Sequence, residues 1–139
     1  MNKILWSSAS VDWATPQYLF DLLDQEFHFN LDVAASASNA KCSSFFTESD
    51  NGLIQDWSGH VCWCNPPYSR SLGKWVEKAF YESQKPNTLV VMLIPARTDT
   101  VWFHKYIYHD AEIRFIRGRL RFNQSSNPAP FGSMIVVFR

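Results

Sequence analysis

Two consecutive prolines, Pro66 and Pro67, follow closely on the apolar run Val61-Cys62-Trp63-Cys64. Neither can donate to a β-ladder, so the run is predicted to be a buried strand that stops at Asn65. Downstream, Leu72, Trp75, Val76, Ala79 and Phe80 share one face of a helix predicted over Ser71 to Ser83. The chain thus passes from strand through a stiff loop, Asn65-Pro66-Pro67-Tyr68, into a helix. Open α/β sheets place ligands beyond the carboxyl ends of their strands, where this loop would lie.

The rest of the sequence fits that layout. Thr15-Pro16 reads as a helix start, with Thr15 as N-cap and Pro16 at the first helical position. Tyr18, Leu19, Leu22 and Leu23 then recur at helical spacing through about Glu26. Phe27 to Val33 alternates as a short strand, Ser38 to Lys41 reads as a helical turn, and Asp50-Asn51-Gly52 is a turn signal. Leu89 to Ile94 is a continuous apolar run suited to a central parallel strand. Thr100 to Tyr108 is predicted helical, and Glu112 to Ile116 and Met134 to Phe138 as strands. Alternating strands and helices predict an α/β fold with a mostly parallel sheet flanked by helices. Asp32, Asn65 and Pro95-Ala96-Arg97 would all fall at carboxyl ends of strands.

A chain of 139 residues suits one domain, 1–139, without a separate target-recognition domain. Its net charge of zero hides an asymmetry: residues 1–56 carry eight acids and two bases, residues 57–139 five acids and eleven bases. A basic half suits phosphates, and an acidic half suits another ligand. Three cysteines, an odd number, point to a reducing cytosol. No apolar run reaches the roughly 20 residues needed to span a bilayer, and the N-terminal apolar stretch is too short for a signal peptide. His60, Cys62 and Cys64 invite a metal reading, but no fourth ligand stands at zinc spacing, so buried cysteines and no metal are expected. His28, His104 and His109 have no partner pattern and read as structural or surface residues.

As the shared motif of the amino-group methyltransferases, which the loop resembles, Asn-Pro-Pro-Tyr implies a specific chemistry. An exocyclic amine conjugated to an aromatic ring is a poor nucleophile. The Asn65 side-chain oxygen and the Pro66 carbonyl could each accept one of its N–H bonds and aim its lone pair, by orientation and electrostatics. Pro67 helps fix the loop, and Tyr68 would offer a face for a planar base, worth ~1–3 kcal/mol.

Over nearly the whole chain the sequence is similar to the phage and prophage DNA N6-adenine methyltransferase family (Dam-like). The resemblance rests on Asp12-Trp13-Ala14-Thr15-Pro16, Leu31-Asp32-Val33-Ala34-Ala35, Phe45-Phe46-Thr47 and Asp50-Asn51-Gly52-Leu53 with Asp56-Trp57. It continues in Leu93 to Thr100 with Trp102-Phe103-His104, in Gly118 to Phe122, and in Ala129 to Met134. It implies an abbreviated Rossmann-like fold that moves a methyl group from S-adenosylmethionine to adenine N6 in DNA, in the cytoplasm of a bacterial host. Trp13, Thr15, Pro16 and Ala34 would line the cofactor site, and Asp32 would hold the cofactor's ammonium. Asp50 or Asp56 would take its ribose hydroxyls, and Trp57 would pack on its adenine.

Two features depart from the general methyltransferase pattern. The loop after Asp32 has no glycine, so it approaches a ligand less closely. Only 33 residues separate Asp32 from Asn65, about one strand–helix–strand unit, so the cofactor half is expected to be abbreviated. Arg117, Arg119 and Arg121 stand at every second residue and would project to one side of an extended stretch. With Ser69, Arg70, Arg97, Thr98 and Lys105 they form the expected contacts to double-stranded DNA, although a charged edge strand is the plainer reading of the arginines. The loop Asn123 to Pro130 could reach a groove, and the target adenine must leave the stack. Two other functions fit the motif: a protein glutamine methyltransferase, which the missing glycine loop and the arginines disfavour, and a DNA-binding remnant without catalysis.

Overall fold

The computed structural model describes residues 13–124 and 127–139. Asp12 and part of the Asn123–Pro130 loop therefore lie outside the described residues. In chain order the elements are helix α1 (Gln17–Phe27), strand β1 (Leu31–Asp32), strand β2 (Val61–Cys64), helix α2 (Leu72–Ser83) and strand β3 (Leu89–Pro95). A π-helical turn (Phe103–Ile107), strand β4 (Glu112–Phe115) and strand β5 (Ser133–Phe138) follow, and short 3-10 turns cover Gly52–Ile54 and Phe122–Gln124. The five strands form one sheet in the order β1-β2-β3-β5-β4.

β1 and β3 both run parallel to β2, with Leu31 opposite Cys62 and Val61 opposite Leu89. β5 runs antiparallel to both β3 and β4. Four strands therefore point one way, and the last strand of the chain is wedged between two of them. Val90 to Ile94 are fully buried, as expected of a strand covered on both faces. Side chains alternate across a strand, so Trp63 meets Phe20 of α1 while Cys62 faces the Trp57 carbonyl and Glu82 of α2. The two helices thus cover opposite faces of the sheet.

α1 begins one residue later than expected. Pro16 is the cap residue, and no side chain caps the helix. Its inner face also differs: Phe20, Leu23 and Phe27 are buried, while Tyr18 and Leu22 are 62% and 61% exposed. Phe20 sets this rotation, because its ring packs on both Phe29 and Trp63 at 5.4 Å. The strand expected from Phe27 to Val33 shrinks to two residues. His28 takes a left-handed conformation and Asp24 accepts the amides of His28 and Phe29, which extends the helix end into the expected strand. Of the helix expected over Thr100–Tyr108, residues 101–107 are helical, most of them as the π-turn. Ser38 lies in a turn at 37–39 rather than a helical one. No helix among the described residues is long and apolar enough to cross a membrane.

The segment between β1 and β2 is pinned with little regular structure beyond the 3-10 turn. Segment 44–46 bonds to Asp32 on the outer side of β1. Glu82, buried on α2, accepts the Trp57 amide at 2.7 Å and pairs with Lys78 and Lys85. Burial pushes its carboxyl up, but the Lys85, Trp57 and Lys78 bonds together hold it below the usual carboxylate range. Gly52 lies so close to β1's exit that an added Cβ would collide with the Val33 carbonyl and come within 3.0 Å of Trp75. The obstacle is backbone, which cannot rotate away. Gly52→Ala should lower unfolding stability by about 1–3 kcal/mol in urea titrations.

Candidate active site

β2 ends at Cys64, and Asn65 begins the loop at the carboxyl edge of the sheet. The Asn65 amide is held at both ends. Its Nδ2 donates to the Trp13 carbonyl at 2.6 Å and to the Thr15 hydroxyl oxygen at 2.9 Å. Its Oδ1 accepts from the Tyr68 hydroxyl at 2.6 Å, and that hydroxyl also lies 3.0 Å from the Leu93 carbonyl of β3. The loop is therefore braced on both the N-terminal segment and the neighbouring strand. Among the described residues no donor bonds to the Pro66 carbonyl, and Pro66 itself is buried and lines neither cavity.

Tyr68 is not the open stacking face that the motif suggests. Its side chain is buried, and its ring lies among Trp13, Phe122 and Phe131. Trp13 faces it nearly in parallel, with centroids 6.4 Å apart and planes 18° from parallel. The two phenylalanines close in edge-on at 6.1 and 5.6 Å. The cover is tied down by Asn123, whose side-chain Oδ1 accepts the Ala14 backbone N–H while its own backbone N–H donates to the Ala14 carbonyl. Burial raises the Tyr68 hydroxyl well above its ordinary value, so it stays a proton donor.

Beside this box opens a cleft of about 530 Å³, lined by 33–39, 47–49, 51–52, Asn65, Pro67 and Trp75. Its size is that of a small-molecule site, for which about 300–1,000 Å³ is usual. A recess of about 30 Å³, which includes Trp13, Thr15, Asp32 and Lys41, shares Ala34, Asn39 and Asn65 with it. Hence Asn65 faces both cavities. The cleft is built largely from small side chains, and Gly52 gives it a close wall that the glycine-free loop after Asp32 does not.

The expected cofactor residues divide. Trp13, Thr15, Asp32 and Ala34 line one or both cavities, while Pro16, Asp50, Asp56 and Trp57 line neither. Asp32 is buried, with its two oxygens taken by the Ala34 and Lys41 amides at 3.3 and 2.9 Å. It shapes the 33–41 loop, and burial raises its carboxyl. Asp50 accepts from the Thr47 amide and hydroxyl within its own turn. Asp56 is on the surface, held to about 2 by the Ser58 and Lys85 bonds. Trp57 is fully buried, with its indole N–H on the Gly52 carbonyl and its ring behind Trp75. Trp75 and Glu48 line the cleft instead. Glu48-Ser49 falls between two motif segments, a position that marked it in sequence; Trp75 lay hidden in an ordinary amphipathic pattern.

The basic residues also divide. Arg70, Arg97, Thr98, Arg117, Arg119 and Arg121 are exposed, and Ser69 is half-buried with its hydroxyl on that of Ser71. Gly118, at φ +77°, bends the chain, so Arg117 does not continue the line of the other two. Beyond the bend alternation holds: Leu120 and Phe122 point inward while Arg119 and Arg121 face solvent. Because Phe122 packs on Tyr68, these two arginines border the aromatic cover. Lys105 stands apart on the π-turn, its ammonium over the Tyr106 ring. Burial pushes the Cys62 thiol up to about 12 and raises that of Cys64 well above its ordinary value. Among the described residues no cluster of His, Cys, Asp or Glu is arranged to hold a metal ion.

An α/β sheet thus ends a strand in Asn-Pro-Pro-Tyr beside an open cleft. The family described as DNA N-6-adenine-methyltransferase (Dam) matches residues 5–139, and the chain belongs to that family. It is 40% identical over 106 residues to the DNA N-6-adenine-methyltransferase of Haemophilus phage HP1, a match covering 75% of this chain and 61% of that protein. It is 37% identical over 111 residues to the DNA N-6-adenine-methyltransferase of Escherichia phage T1, covering 78% and 45%. A putative methyltransferase of Escherichia coli K12, YfdM, is 36% identical over 63 residues. The chain thus spans 61% and 45% of the length of the two phage relatives. Membership of a methyltransferase family implies a methyl donor.

The raised Tyr68 hydroxyl has a measurable consequence. Its contribution to stability is fully present below about pH 10, where the unfolded tyrosine stays protonated, and is lost as the pH rises beyond. Alkaline titration followed by tyrosinate absorbance should leave Tyr68 unionised until the protein unfolds. Native Tyr68→Phe should therefore show the same titration amplitude as wild type.

Proposed function

We propose that the chain transfers a methyl group from S-adenosylmethionine to N6 of adenine in DNA. The observation that carries this is the held Asn65 amide, at a residue that lines both cavities. An amide oxygen has two lone pairs, and Tyr68 uses one. The other, with the Pro66 carbonyl, would accept the two N6–H bonds of the base. These acceptors would orient the amine and favour a tetrahedral nitrogen as positive charge develops on it. The five-stranded sheet is read as an abbreviated Rossmann-like methyltransferase fold.

The cleft fits a donor of this kind. S-Adenosylmethionine supplies an electrophilic methyl group on a sulfonium. Residues 33–39 and 47–52 would hold it, with Trp75 as an apolar wall. Glu48, the only acid lining the cleft among the described residues, would accept ribose hydroxyls in place of Asp50 and Asp56. The base would enter where the Trp13 ring now lies against Tyr68, so that ring must swing aside. Arg119 and Arg121, with Arg70 and Arg97, would take the phosphates of a duplex whose target adenine is flipped out.

The test offers labelled S-adenosylmethionine and unmethylated DNA to wild type and to Asn65→Ala. Wild type should form N6-methyladenine, and the variant should lose about 10²–10³-fold in turnover, the usual cost of one charge-stabilising group. Label in protein rather than DNA would contradict the substrate, and no label in either would contradict the activity. By calorimetry, Glu48→Gln should weaken S-adenosylmethionine binding about tenfold or more, consistent with a hydrogen bond to a charged group.

A further inference from the structure

We infer that Thr15 and the Trp13 carbonyl are a positioning pair that fixes which end of the Asn65 amide is presented, so that position 65 must carry an amide and not a carboxylate. This deepens the proposed reaction and rests on Asn65 as the acceptor for the base. The two ends of a side-chain amide are nearly the same size, so packing alone scarcely chooses between them. Hydrogen-bond polarity does. The Trp13 carbonyl is acceptor-only and lies 2.6 Å from Nδ2, with the Thr15 oxygen 2.9 Å away on the same nitrogen. Turning the amide over would put two acceptors face to face at the Trp13 carbonyl and turn the NH2 group towards the Tyr68 hydroxyl.

Thr15 is committed to this task. It stands in a Thr-Pro pair suited to capping α1, yet the helix has no side-chain cap bond. Its hydroxyl is on Asn65 instead, and the residue is buried. Water therefore competes poorly for that contact. A carboxylate at position 65 would have no proton to give either oxygen. It would oppose the Trp13 carbonyl or take up a proton, and burial beside another acceptor favours uptake.

The charged and titratable groups around the position are Tyr68, Cys64, Asp32, Lys41 and Glu48, along the strand end, the loop and the two cavities. All five remain in the variants, so their own titration cancels when variant and wild type are compared. Asp32 would push a carboxyl at position 65 further up and Lys41 would oppose it. The carboxyl introduced by Asn65→Asp, raised in this way, would support the fold when protonated at low pH and lose that support as the pH rises.

Three variants test this: Thr15→Val, Thr15→Ser and Asn65→Asp. Thr15→Val should lose about tenfold in turnover at saturating substrate, one hydrogen bond's worth, with S-adenosylmethionine affinity by calorimetry unchanged within about twofold. Thr15→Ser, which keeps the hydroxyl, should recover most of that loss. Asn65→Asp should melt close to wild type at about pH 5 and several degrees below it at about pH 8. Parallel loss of cofactor affinity and turnover in Thr15→Val would overturn the inference by making Thr15 a cofactor-site residue. So would a melting difference for Asn65→Asp that does not change with pH. If wild type methylates no DNA, the proposed function fails, yet the melting comparison still decides whether the pair selects an amide.

Discussion

The abrupt end of β2 is the constraint from which the site follows. Pro66 and Pro67 have no N–H to offer, so the ladder cannot continue although both neighbouring strands are in place. The chain must leave the sheet between two parallel neighbours, whose own exits then become its surroundings. The exit of β1 supplies the 33–39 wall of the cleft, and β3 supplies the Leu93 carbonyl under Tyr68. Parallel pairing on both sides brings three carboxyl ends to one edge, which is why a single loop meets two cavities there.

Around that loop the structure uses polar groups for orientation and aromatic groups for enclosure. Asn65 is bonded at both ends of its amide, and Trp13, Phe122 and Phe131 shut solvent away from Tyr68. The same N-terminal segment does both, since the Trp13 backbone holds Asn65 while its ring covers Tyr68. A covering ring can rotate about its own side-chain bonds without moving its carbonyl, so access and orientation are separable.

Much of the framework was legible beforehand. β2, α2 and β3 follow from an apolar run, an amphipathic period and a continuous apolar stretch, each long enough to dominate its surroundings. The loop was legible for the same reason, because proline's restriction is intrinsic to the residue. Legibility failed where a local preference met a stronger tertiary contact. Thr15 suits a helix cap but spends its hydroxyl on Asn65, and Tyr18 and Leu22 lost the inner face of α1 to Phe20, which packs on Trp63. Trp57, expected on a cofactor, is a core residue behind Trp75.

By itself, then, the sequence determined an α/β chain with a proline-stiffened Asn-Pro-Pro-Tyr loop at a strand end, and the resemblance that names its family. Those are properties of residues and their neighbours in the chain. Only the tertiary structure decided that Glu48 and Trp75 line the cleft while Asp50, Asp56 and Trp57 do not. It alone turned Asp32 inward onto the Ala34 and Lys41 amides and bent the arginine row at Gly118. The reason is physical: an acid or an indole in an irregular segment has no period to fix its direction. Its direction is set by whichever amide, carbonyl or ring the rest of the fold brings within reach.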